Sequence, residues 1–237
     1  MSTESIQTPV ADTVTLGRVN QPPAQSWNRL HVNDITLTVP KISRKGDVYF
    51  ALPQLFSKVE TGMGEKVTAW VTSQAADARY VEVPAHTVRE EPVVIAVDAD
   101  KGEVVDTGVM VREGATATIV VAVTGTSDKP STSASLLRVI AEAGAHVSVI
   151  EVIGATDAQQ HLESVGIHAD DDARIDVRQY ALGGGTVAVG FAADLAGRRA
   201  RVDLNTRYLA SGHETLDITP VVRQRGRDTR AQISESG

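Results

Sequence analysis

From Gly144 onward, one pattern of polar and apolar positions keeps returning along the chain. It reads Gly144-Ala145-His146-Val147-Ser148-Val149, then Asp172-Ala173-Arg174-Ile175-Asp176-Val177. It comes back as Arg199-Ala200-Arg201-Val202-Asp203-Leu204 and as Asp228-Thr229-Arg230-Ala231-Gln232-Ile233, with an earlier copy at Gly114-Ala115-Thr116-Ala117-Thr118-Ile119. Each copy opens on a turn-forming or polar residue and passes into strict alternation, which puts successive side chains on opposite faces of a strand. The copies stand 27 to 30 residues apart, in the range of solenoid repeats. The pattern predicts a mainly β chain: a right-handed parallel β-helix with a small N-terminal cap. A β-sandwich is the competing arrangement, since it also has many short strands. The two differ in whether Val147, Ile175 and Val202 stack in one column.

The stretch from Ala200 to Leu209 shows the predicted coil best. Val202, Leu204 and Tyr208 share a face with Thr206 as the polar exception, while Arg201, Asp203, Asn205 and Arg207 take the other. One coil earlier Ala173, Ile175 and Val177 face in, and Arg174, Asp176 and Arg178 face out. Stacking such rungs places rows of Arg and Asp side by side on an outer wall, where diagonal opposite charges add about 0.2–1 kcal/mol each. A solvated sheet face accounts for that wall without invoking a ligand.

Ahead of the repeats the pattern is weaker. Residues 1–20 read as a disordered tail and Gln21-Pro22-Pro23-Ala24 as a stiff lead-in. Ile35, Leu37 and Val39 alternate as a short strand, Gly46 to Phe50 is a second candidate, Leu52 to Val59 holds a helical turn, and Lys66 to Thr72 reads as strand. Residues 21–78 are taken as a cap region, because an open solenoid end exposes unpaired rungs. Residues 79–237 form the β-helix core. Strands follow quickly at Tyr80–Val83, Val93–Val97, Val104–Met110 and Ala117–Val123, with an exposed loop at Ser127–Ser131. Ser135 to Ala143 fits helix or strand by its apolar spacing and is read as strand, since a helix would interrupt the stack. Gly183-Gly184-Gly185 is a corner rather than a phosphate cradle, for it lacks the Lys-Ser or Lys-Thr that such a loop needs.

Composition narrows the function classes. Aromatics make up only 4 % of 237 residues, so the core is built from Val, Ile, Leu and Ala, which suits a narrow solenoid interior. A formal charge of −7 disfavours nucleic acid as a partner, and the one basic stretch, Arg223 to Arg230, reads as a strand and corner. There is no cysteine, hence no disulfide, thiolate nucleophile or Cys-ligated cluster from this chain alone. No signal peptide or run of ~18 apolar residues is evident, and the reading is a soluble, cytoplasmic protein that does not engage a membrane.

Candidate chemistry is sparse. None of the six histidines, at 31, 86, 146, 161, 168 and 213, stands at a metal-ligand spacing. His161 and His168 bracket Glu163, and on adjacent extended segments these could converge with Glu151. His213, Glu214 and Asp217 offer nitrogen and oxygen ligands beside a turn. A Ser–His–acid triad is open on composition, although no Gly-x-Ser-x-Gly elbow exists. Asp170-Asp171-Asp172 is the one acidic cluster and sits at a corner. No catalytic, cofactor-binding or metal residue is assigned. A β-helical enzyme acting on polysaccharide, or a carbohydrate-binding protein, is the alternative reading, with Asp176 and Asp203 as its carboxylates.

Several stretches resemble the core domain of the SufB and SufD proteins of the SUF iron–sulfur assembly system. Tyr80-Val81-Glu82-Val83-Pro84-Ala85-His86 through Val93 is similar to that family's entry into the β-helix, with His86 where a Gly is usual. Ala173 to Gly185 resembles its strand ending in Leu-Gly-Gly-Gly, and Gly197 to Gly212 its Tyr-Leu-x-x-Gly corner. His213 to Asp217 through Gly226–Thr229 resembles its Asp segment leading to His-x-Gly-x-x-Thr, with Gln224 in place of His. Pro22 to Asn28 is similar to the start of short SufD-like proteins. The resemblance implies a SufD-like, non-catalytic scaffold subunit that works with a SufB-like subunit and a SufC-like ABC-type ATPase. It also implies that the chain stops in the middle of the family's β-helix, without the later coils, cluster-linked residues and ATPase-docking helices. An open β edge at Ala231 to Ser234 would then mate with a partner or with a second copy.

Overall fold

A computed structural model describes residues 13–20, 35–41, 51–76 and 78–237. The candidate strand Gly46 to Phe50, the Pro22-to-Asn28 motif and His31 lie outside the described residues. Two strands, β1 (Thr13–Val19) and β2 (Ile35–Pro40), pair antiparallel. A 3-10 turn (Gln54–Lys58) and one helix, α1 (Gly64–Gln74), follow. From Ala78 onward the chain is strand after strand: β3 (Ala78–Val83), β4 (Val93–Asp98), β5 (Val104–Val111), β6 (Thr116–Thr124), β7 (Ser131–Ala141) and β8 (His146–Gly154). It continues through β9 (Gln159–Ala169), β10 (Arg174–Ala181), β11 (Thr186–Leu195), β12 (Arg201–Tyr208), β13 (Thr215–Gln224) and β14 (Arg230–Ser236). Among the described residues no helix is long and apolar enough to cross a membrane.

These strands alternate between two six-stranded parallel sheets, β3-β5-β7-β9-β11-β13 and β4-β6-β8-β10-β12-β14. The result is a parallel β-helix of about six turns. Val147, Ile175 and Val202 are direct register neighbours, extended by Ala117 and Ala231 into one column, which decides for the solenoid over the sandwich. Between the sheets most inward residues form one continuous apolar core, built mainly of Val, Ile, Leu and Ala. Ser135–Ala143 is strand through Ala141, as the stacking argument required.

The repeat opens on a fixed backbone state. His86, Gly114, Gly144, Asp172, Arg199 and Asp228 all take φ between 56° and 67° and stand 27 to 30 residues apart. This left-handed conformation turns the chain into each strand of the second sheet. It also lets the amide of Gly144 donate to Asp171 O (2.7 Å) and that of Asp172 to Arg198 O (2.8 Å), so that corner locks to corner. Glycine meets this φ without strain, whereas Arg199 and His86 hold it at a cost of about 1–2 kcal/mol each. The return of turn-prone residues in the sequence is the trace of that corner.

Burial differs between the sheets. In the second sheet it alternates, as in β8 and β10, so the outer face meets solvent. In β7, β9 and β11 nearly every residue is buried, because the N-terminal segment lies across the outer face of the first sheet. Leu16, Val39, Val67, Trp70 and Val71 pack there on Leu136, Leu162 and Ala188. The described part of the expected cap region thus covers a sheet face and not a coil end. The physical reason is that this outer face carries Leu136, Ile140, Leu162, Ala134 and Ala188, apolar positions that need cover as much as the lumen does. At Gly190 the approach is so close that a Cβ would meet Met63 Cγ at 2.6 Å and the Gly62 carbonyl carbon at 2.7 Å.

Two local expectations are corrected. Lys66 to Thr72 is helical, as part of α1: Val67, Trp70 and Val71 are its buried side chains, a three-and-four spacing that the 67-69-71 alternation obscured. Residues 13–19 of the expected tail form β1, whose Leu16 and Val19 are buried. Asn20 then ties this hairpin to the solenoid by donating to Val189 O (3.3 Å) and Asp217 Oδ1 (3.1 Å).

Candidate functional site

In a solenoid lumen the inward positions should all be apolar, so polar residues there mark a site. On β8 the inward series runs Val147, Val149, Glu151, Ile153, and the register stacks Val121, Glu151 and Gln179 in one column with Thr206 next to Gln179. The Gln179 amide donates to Glu151 Oε2 at 2.7 Å, and the Thr206 hydroxyl donates to Gln179 Oε1 at 2.8 Å. From the first sheet β9 points His161 and Glu163 into the lumen, and β7 adds Ser133. Ser133 Oγ lies 2.9 Å from His161 Nδ1, and His161 Nε2 lies 3.1 Å from Glu163 Oε2. Glu151, His161, Glu163, Ser133 and Thr206 have no exposed surface at all, and Gln179 has almost none.

Burial sets the charge state of this cluster. Desolvation pushes Glu151 well above the usual carboxylate range, the charge of Glu163 pushes it further, and the Gln179 amide opposes the rise. Desolvation likewise raises Glu163, to about 8, and lowers His161 to about 3. At neutral pH, then, protonated Glu163 donates to His161 Nε2, and the neutral ring donates from Nδ1 to Ser133 Oγ. One oxygen of Glu151 and one of Glu163 have no hydrogen-bond partner among the described residues. The arrangement holds protons on buried acids between the two sheets.

Ser133, His161 and Glu163 have the connectivity of a hydrolase triad but not its geometry. In that machinery Nε2 faces the serine and Nδ1 the acid. Here the nitrogens are exchanged, and Ser133 is 0 % exposed. No substrate reaches such a serine.

The sequence named His161, Glu163 and Glu151 as groups that could converge, and they do. His168 does not join them, because it faces the opposite side of β9, near Asp170 (3.3 Å) and Asp194 (3.5 Å). His213, Glu214 and Asp217 also stay apart: Glu214 accepts from the Ser211 amide (2.5 Å), while Asp217 is buried against Asn20. Among the described residues no group of three or more His, Asp or Glu side chains is placed to hold a metal. Asp176, one of the two carboxylates of the polysaccharide reading, is bound to His146 Nε2 at 2.8 Å. Gln179 and Ser133 were not singled out from sequence, and Thr206 stood out only as the polar exception on its strand. The signal was available, since Glu151, Gln179 and Thr206 break the apolar series at one place in three successive repeats.

A family model described as SUF system FeS cluster assembly, SufBD core domain, matches residues 94–237. The chain belongs to this family. No curated protein matches the chain. The matched span begins inside β4 and takes in every later rung, so the whole lumen cluster lies within the SufBD core. Two departures from the family pattern can be placed on the fold. His86 occupies the first left-handed corner (φ 56°), where the family usually carries Gly. Gln224, in place of the family's His, ends β13 exposed, with its amide 3.5 Å from Thr229 O.

Proposed function

We propose that this chain is a non-catalytic, SufD-like scaffold subunit of a SUF-type iron–sulfur assembly complex, working in the cytoplasm. It pairs with a SufB-like subunit and a SufC-like ABC-type ATPase. The observation that carries this reading is the SufBD core match over the β-helix, on a sequence with no cysteine. A subunit without thiolates contributes shape and a mating edge, while cluster ligands come from its partner. The edges of β13 and β14 that face away from the rest of their sheets are the natural mating positions, for a SufB-like chain or a second copy, because main-chain pairing there would extend both sheets.

Co-expression tests it. The full chain carrying an affinity tag, produced together with a SufB-like subunit and a SufC-like ATPase, is expected to bring down both at defined stoichiometry by native mass spectrometry. Recovery of the tagged chain alone, while the other two subunits associate with each other, would count against a SufD-like role.

A further inference from the structure

The outer face of the second sheet carries charges in columns. Arg174, Arg201 and Arg230 are register neighbours, and two residues further along the same strands so are Asp176 and Asp203. Like charges stacked directly on each other are unfavourable. Arg201 and Asp203 are exposed, and neither is ion-paired to another described residue. One column further lies Arg178, in register with Ile150 and through it with Val120 and Val94, an apolar row of which Ile150 and Val120 are half-buried and Val94 is exposed.

We propose that this face is a docking surface for a second copy of the chain, packed sheet against sheet about a two-fold axis. The axis runs parallel to the stack, between the Arg and Asp columns, over Ile175 and Val202. On each rung a residue before the axis then faces the residue equally far beyond it on the other copy. Arg201 meets Asp203, Arg174 meets Asp176 beside its His146 contact, and Arg178 meets Asp172 beside its Arg199 pair, each formed twice by symmetry. The same operation lays Ile150 over Gly144 and Val120 over Gly114, corners without side chains to hold the sheets apart. A single axis thus sets opposite charges face to face at three positions, relieves the two like-charge columns, and covers Ile150 and Val120. A continuous polyanion would meet the Asp column, so the charge pattern fits an alternating surface such as its own. Six strands of about eight residues span on the order of 700 Å², close to the ~800 Å² per partner of a stable dimer. This surface leaves the β13/β14 edge free, so the dimer and the SUF complex are independent.

Sedimentation equilibrium on the full chain, at about 20 mM and about 500 mM NaCl, reads the association directly. A dimer is expected at low salt that weakens as salt rises. Arg201→Asp and Asp203→Arg should each weaken it about tenfold or more, because each substitution sets like charges together twice. The double substitution, Arg201→Asp with Asp203→Arg, exchanges the two columns on that rung and should restore the dimer to within about threefold. Circular dichroism melts matching the unsubstituted chain show that the fold is kept in all three. A monomer at every concentration, a dimer indifferent to Arg201→Asp, or a double variant no better than the singles would each overturn the proposal.

Discussion

Asp106→Ala is expected to lower stability by about 3–5 kcal/mol, a fall of about 10 °C in melting temperature for a chain of this size. Asp106 on β5 and Arg138 on β7 point to the outer face of the first sheet, under the N-terminal segment, and are 2 % and 8 % exposed. Both Asp106 oxygens accept from Arg138 Nη2, at 2.7 and 2.8 Å. Removing the carboxylate leaves a guanidinium in a place where water cannot replace its partner. That is why the loss should far exceed the roughly 0–1 kcal/mol typical of a solvent-exposed ion pair. The combination Asp106→Leu with Arg138→Met removes both charges at similar volume and should recover most of the loss. Thermal melts of the two variants beside the parent chain check it. A loss under about 1 kcal/mol for Asp106→Ala would mean that the N-terminal segment does not seal this face.

The second large effect concerns the lumen and its pH dependence. Glu163 has its pKa raised in the folded state, to about 8, so its contribution to stability is whole below the ordinary carboxylate range and is lost as pH rises toward 8. His161 has the opposite sign: its pKa falls to about 3, so its contribution is whole above about 6.5 and is lost as pH falls toward 3. Between about pH 6.5 and 8 only the acids act, and Glu151, raised by the same burial, acts in the direction of Glu163. Stability should fall across this window by roughly 2 kcal/mol for Glu163 alone, and Glu151 adds to the fall. Asp217, raised to about 6, has already lost its share below the window. Glu163→Gln keeps a donor toward His161 Nε2 and carries no charge, so it should flatten the slope and be more stable than the parent at pH 8. Urea denaturation at pH 6.5 and 8.0 decides. A parent chain equally stable at both values would show that the lumen acids are not held protonated.

The β-helix was legible because alternation and corner return at one spacing, and both have a simple physical origin: the pleat and the left-handed turn. Ile175 and Val202 therefore fell into register as the pattern implied. The N-terminal segment was harder. Lys66 to Thr72 satisfies a strand template and a helix template alike, and only the packing of Trp70 and Val71 on the first sheet decides between them. Covering a face instead of an end is a tertiary choice, made by close approaches such as that at Gly190, which no local pattern contains. In the lumen, Glu151, His161 and Glu163 could be named, but that they point inward depends on the phase of β8 and β9. Aligning the repeats by their corners places Glu151, Gln179 and Thr206 together, so this part of the site was readable in columns where it was not in rows. Ser133 was not, since its partner His161 stands one full coil away on the neighbouring strand.

On the proposed reading, this chain serves iron–sulfur assembly as a scaffold and the cluster is held by ligands from a partner. Anaerobic reconstitution with iron and sulfide tests it most directly, read by visible absorbance and iron analysis after desalting. It is done on the isolated chain and on the chain co-purified with its SUF partners. The isolated chain is expected to carry no stable chromophore, because it has no thiolate and its buried histidine, His161, is committed to Ser133 and Glu163. A cluster should appear only in the complex. A stoichiometric, chromophoric cluster on the isolated chain would contradict it, and His168 and His213 would be the first residues to replace.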